Sequence, residues 1–200
     1  MKKLLLIAVF AVFGFTANAQ SDKGDFTLAP QLGVNFSTYV SDVNVSFKTR
    51  TSFVGGVAAE YYFSDRWSFR SGLFYDAMGA KDSFGNVDKL NYLTLPLNAN
   101  WHFGKKRNWY LNFGPALSFS LNAESDLSDG TTIDIKDAIN GIDISLAVGI
   151  GYKFEISENV QLSIDYQGLG GFINIDKDDI LPYTIRNSRS SFNVGTIFKL

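Results

Sequence analysis

Cysteine is absent from all 200 residues, which excludes a disulfide framework and any thiolate metal site. Histidine occurs once, at His102. Beyond the first 20 residues no apolar run reaches 18, so a membrane-spanning helix is excluded there. A basic excess is also missing. Eighteen Lys and Arg face 20 Asp and Glu, a net charge of −2 that lacks the basic face nucleic-acid binding needs. No Gly-x-x-x-x-Gly-Lys phosphate loop occurs. The Gly149-x-Gly151 and Gly168-x-Gly170-Gly171 clusters precede no helical pattern, so neither reads as a nucleotide site.

What is present begins with an export signal. Lys2 and Lys3 form a positive start, Leu4 to Phe15 an apolar stretch, and Ala17-Asn18-Ala19 a small-x-small cleavage pattern. The expectation is cleavage after Ala19. Residues 1–19 are then a removed signal peptide, and residues 20–200 form one domain with a net charge of −4.

From there alternation with period two dominates. In the first strand Phe26, Leu28, Pro30, Leu32, Val34 and Phe36 alternate with Thr27, Ala29, Gln31, Gly33, Asn35 and Ser37. Seven further segments repeat the pattern, starting near Ser52, Trp67, Leu93, Trp109, Ile142, Val160 and Ser191. Each runs about 11 residues or more, which spans roughly 28 Å at a tilt near 40°, enough for the apolar band of a membrane barrel. The expected fold is all-β: an eight-stranded antiparallel up-and-down transmembrane β-barrel, with its apolar face to lipid and a filled polar lumen.

Three features favour lipid on the apolar face over a soluble lipocalin-like barrel. The polar face is mostly small and amide residues, which suit a narrow lumen. The aromatic residues Tyr61, Phe63, Trp67, Trp101, Phe103, Trp109, Tyr152 and Phe154 flank three short turns, like an interfacial girdle. Short connections at 64–66, 104–108 and 157–159 alternate with longer ones near 38–51, 79–91, 122–140 and 168–190. In outer-membrane barrels the short turns are periplasmic and the long loops face outward.

Parity then sets register, because residues directly opposite share a face. It places Glu60 across from Arg70, Phe103 across from Trp109, Asn100 across from Asn112, Glu155 across from Gln161, and Lys153 across from Ser163. The expected lumen is a polar, structural network of Glu60, Arg70, Asp76, Asp143, Lys153, Glu155, Asp165 and Lys199. Buried charge there must be paired or hydrated. Pro30, Pro96 and Pro115 fall within strands, so each should mark a bulge or a broken ladder bond.

The stretch Tyr92-Leu93-Thr94-Leu95-Pro96-Leu97 resembles a strand of small outer-membrane β-barrel proteins of Bacteroidetes, the PorT-like porin-family group. The signal peptide and the eight-strand spacing are similar too. The resemblance implies outer-membrane location and little about activity.

No catalytic, cofactor or metal residues are expected. His102 falls at the inner end of the fourth strand, away from the outer rim where a lipid-modifying pair would sit. Asp126, Asp129, Asp134 and Asp137, with Asp176, Asp178 and Asp179, match no EF-hand spacing and read as solvated loop charge. The expected partners are outer-membrane lipid and an envelope or surface protein, met through loops 122–140 and 168–190. Strand-like Phe172 to Ile175 and Tyr183 to Arg186 suggest a last hairpin that projects above the membrane. The expected role is non-enzymatic, presenting surface loops for adhesion, envelope integrity or protein contact. The alternatives are a narrow channel, a lipid-modifying enzyme and a soluble binding barrel.

Overall fold

A computed structural model describes residues 21–200; the expected signal peptide lies outside them. Eight long strands form the wall: β1 (Phe26–Ser41), β2 (Lys48–Tyr62), β3 (Trp67–Met78), β5 (Val87–Phe103), β6 (Trp109–Asp126), β8 (Ile142–Ser157), β9 (Val160–Gly171) and β10 (Ile185–Lys199). Two short strands, β4 (Ala80–Lys81) and β7 (Thr132–Asp134), extend it at the long-loop end. Every pairing is antiparallel, and β1 pairs with both β2 and β10, which closes the barrel.

The barrel is apolar outside and polar inside. Leu32 is 68% exposed and Val194 59%, whereas Asp76, Asn100 and Asn112 are at 0%. Such an exterior suits hydrocarbon, in which only a closed barrel satisfies every strand's backbone groups internally. No helix among the described residues is long and apolar enough to cross a membrane.

The registers match the parity argument at Glu60↔Arg70, Asn100↔Asn112, Phe103↔Trp109, Glu155↔Gln161 and Lys153↔Ser163. Each in-strand proline sits at a broken ladder with the register kept. The β1–β10 pairs skip Ala29 and Pro30, the β3–β5 pairs skip Leu95 and Pro96, and the β5–β6 pairs skip Gly114 and Pro115. The two true register shifts lie elsewhere. They leave Leu121 and Ile156 as the extra residues in β6 and β8.

The strands run further than their apolar alternation. β10 begins at Ile185 and β5 at Val87, inside segments that read from sequence as loops. Above the apolar band both faces of β10 are polar, with Arg186, Ser188 and Ser190 alternating with Asn187 and Arg189, so no period is visible. The expected projecting hairpin is corrected. The segment between β9 and β10 turns inward and buries Ile175. The tall wall is instead β5–β6, which continues through Val87↔Asp126 and carries β7 on its edge. Alternation in β5–β6 fades above Leu93 and Phe119, which hid that extension.

Candidate functional site

The chemistry of the molecule lies in the lumen, stacked in layers. At the short-turn end, Glu60 of β2 gathers donors from β3 and β5. Its Oε1 accepts from Ser68 Oγ, from Asn100 Nδ2 at 2.7 Å, and lies 2.8 Å from His102 Nε2. Its Oε2 lies 3.9 Å from Lys153 Nζ. Lys153 also donates to Tyr62 Oη at 2.5 Å, and the Tyr62 ring stacks on His102 at 5.0 Å. Below, Arg107 ties the rim to the N-terminal segment through Asp22 at 2.8 Å, and Lys199 reaches Asp25 at 2.5 Å.

The middle layer is built on Asp165 of β9. It accepts from Tyr110 Oη at 2.6 Å and Asn193 Nδ2 at 2.6 Å, with Arg70 at 3.8 Å. Arg70 donates to Gln31 at 2.8 Å and lies over the Tyr110 ring. Gly151 makes room for this layer: a side chain there would collide with the Tyr110 ring end and Asp165. The upper layer joins Asp76 to Arg189, with Oδ2 2.6 Å from Nη2, and to Asn35 at 2.6 Å. Asp143 accepts from Asn187 at 2.9 Å.

Of the eight lumen residues expected from sequence, Glu60, Arg70, Asp76, Asp143, Lys153 and Asp165 are buried inside. Glu155 and Lys199 are only half-buried; Lys199 pairs at the rim with Asp25. The expected network leaves out His102, Arg189 and the three tyrosines Tyr62, Tyr92 and Tyr110, all of which the structure places in the lumen. Parity sets His102 and Tyr110 on the inward face, so parity was the available signal for those two. Arg189 lies in a segment that reads from sequence as loop.

Above these layers the interior turns apolar. Tyr39, Met78, Leu90 and Tyr92 of the wall pack with Ile139 and Ile175 from the connections. The two connections are clasped by Asn140 N to Ile175 O at 2.8 Å, Lys177 N to Ala138 O at 3.1 Å and Asn140 Nδ2 to Asn174 O at 2.7 Å. The result seals the long-loop mouth.

Ser68, His102 and Glu60 touch one another, yet they are not wired as a catalytic triad. Ser68 Oγ at 3.0 Å and Glu60 Oε1 at 2.8 Å both meet the same ring nitrogen, Nε2. A nucleophile–base–acid relay uses the two ring nitrogens separately. Ser68 is also fully buried, with no approach for a substrate.

The expected girdle residues form a belt of touching rings on the outer wall. Trp67–Trp101, Trp101–Phe103, Phe103–Trp109, Trp109–Tyr152 and Tyr152–Phe154 have centroids 4.7–6.3 Å apart. Tyr61 and Phe63 stand exposed at the same end. Loop carboxylates at the opposite end serve turns. Asp82 accepts from Phe84 N, Asn86 N and Asn86 Nδ2 at 2.7–2.9 Å. Slight burial raises the Asp82 carboxyl, but these bonds outweigh it and hold it below the ordinary value. Asp129 and Asp134 likewise accept from backbone N–H groups two residues on. Among the described residues no acidic cluster is arranged to hold a metal.

A closed barrel, inside-out in polarity and belted with aromatics at its short-turn end, agrees with the match of residues 18–176 to the profile described as outer membrane protein beta-barrel domain. The chain belongs to that family. Among solved structures the barrel is similar to OprG from Pseudomonas aeruginosa, at TM-score 0.55 and 13% identity over 91% of this chain and 98% of that one. It is similar to Neisserial surface protein A, NspA, at TM-score 0.53 and 16% identity over 88% and 97%. It is similar also to the N-terminal barrel domain of Pseudomonas aeruginosa OprF, at TM-score 0.51 and 13% identity over 90% and 100%. At these identities the likeness is one of fold. No curated protein matches the sequence. The chain is thus an integral outer-membrane β-barrel, its apolar exterior suited to lipid.

Proposed function

We propose that this barrel is a non-enzymatic anchor whose outward loops contact other envelope or surface proteins. One observation carries the reading: the lumen holds tied side chains, and its outer mouth is sealed by apolar packing around Ile139 and Ile175. Loops 122–140 and 168–190 supply the outward surface, in adhesion, envelope integrity or protein contact. They place apolar side chains in the open, with Ile180 74% exposed and Ile133 41% exposed. A planar bilayer containing the folded wild-type barrel tests the reading. Silence supports it, and stepwise conductance replaces it with a channel.

The Tyr92–Leu97 hexapeptide supports a place in the PorT-like group of Bacteroidetes, and the Ala17-Asn18-Ala19 pattern supports cleavage after Ala19. N-terminal sequencing of the protein from isolated outer membranes, starting at Gln20, checks the cleavage. Deletion of residues 172–184 checks the surface role, since the strands on either side remain.

A further inference from the structure

The voids inside the barrel are strung along its axis. One, about 60 Å³, lies at mid-barrel between Arg70 and Arg189, with Gln31, Asn98, Gln167 and Asn193 on its walls. A second, about 10 Å³, lies below it; Gln31 and Arg70 line both. A third, also about 10 Å³, lies at the periplasmic rim; Lys153 lines both it and the second. A void of roughly 10–15 Å³ on this measure holds one water if polar partners are present. The small voids are therefore each about the size of one water, and the mid-barrel chamber has room for several.

The file stops upward. Ala116, Ala147 and Leu169 line the chamber and belong to the apolar packing around Ile139 and Ile175. This seal depends on the connections. Ile139 follows the short turn Lys136–Ala138, and Ile175 lies between β9 and β10. The two segments meet through one isolated bridge, Ile139↔Asp176, and a few hydrogen bonds. Separating them breaks no pairing between the eight wall strands.

We propose that the lumen is a gated half-channel for water and small ions, with its chamber linked to the periplasmic rim past Arg70 and Lys153 and closed outward by the Ile139–Ile175 clasp. Arg70 and Lys153 each stand between successive voids, so side-chain motion alone connects them. At the outer end the clasp must part before anything passes. The inference rests on the sealed-lumen reading above and adds that the seal is a gate over a preformed path.

The absence of native cysteine makes the test direct. A single reporter, Ser191→Cys, sits on the chamber wall. It is combined with Ile139→Ser and Ile175→Ser to open the clasp. Reaction with membrane-impermeant 2-(trimethylammonium)ethyl methanethiosulfonate, added outside sealed vesicles that hold the barrel with its long loops outward, is timed for the reporter alone and for the opened variant. Each is first checked for the gel-mobility shift of a folded barrel. The expected result is modification at least tenfold faster in the opened variant, with stepwise conductance in planar bilayers. A second variant, Ile139→Cys with Asp176→Cys, joins directly paired residues whose spacing in an antiparallel pair suits a disulfide. It should be silent when oxidised. A folded opened variant whose reporter thiol reacts no faster, in silent bilayers, overturns the gate and leaves the sealed anchor standing. A conducting wild-type barrel overturns the sealed reading itself.

Discussion

Arg189 grips Asp76 across the lumen, its Nε and Nη2 3.1 and 2.6 Å from the same carboxylate oxygen, while Asn35 holds the other oxygen at 2.6 Å. The two residues come from β10 and β3, which are not neighbours in the wall. The pair therefore ties separate parts of the barrel wall. Removing one partner of a buried ion pair strands the other charge, at a cost of about 3–5 kcal/mol. Asp76→Ala should lose that much, measured by urea unfolding in detergent with the gel shift as readout. The double change Asp76→Leu with Arg189→Met should recover most of it, because no stranded charge is left.

The aromatic belt gives a smaller, additive effect. Trp109 touches Phe103 at 6.2 Å and Tyr152 at 5.0 Å. Aromatic pairs contribute about 0.5–1.5 kcal/mol each beyond burial. Trp109→Ala should therefore lose roughly 1–3 kcal/mol from the two pairs, beyond the loss of apolar area, in vesicle unfolding experiments. Trp109→Phe should keep most of it.

The shared nitrogen of His102 bears on chemistry. Ser68 and Glu60 compete for Nε2, and Ser68 is buried. Purified barrel in phospholipid vesicles should release no fatty acid above the protein-free rate, and Ser68→Ala should behave identically. Hydrolysis that Ser68→Ala abolishes would restore the enzyme reading.

Much of this fold was legible because one face of every strand had to satisfy lipid. Where that demand held, as along Ile142–Phe154, alternation and parity set the face and the register. Where it lapsed, the signal lapsed. β10 continues through Arg186, Ser188 and Ser190 with polar residues on both faces, so Arg189 reads as part of a loop. Met78 and Leu90 point inward above the apolar band, and nothing local distinguishes an inward apolar residue there from an outward one. The inward fold of Ile175 is a tertiary matter, decided by its meeting with Ile139 and the bridge at Asp176.

The central claim is that the apolar stripe faces lipid in a closed barrel. A single-cysteine spin-label scan along β8, from Ile142 to Phe154 in reconstituted vesicles, tests it most directly. The account predicts high oxygen accessibility at even positions such as Ile144, Leu146, Val148 and Ile150, and low accessibility at Asp143, Ser145 and Lys153. Period-two accessibility of the opposite phase, or a protein that stays in solution without detergent, would contradict it.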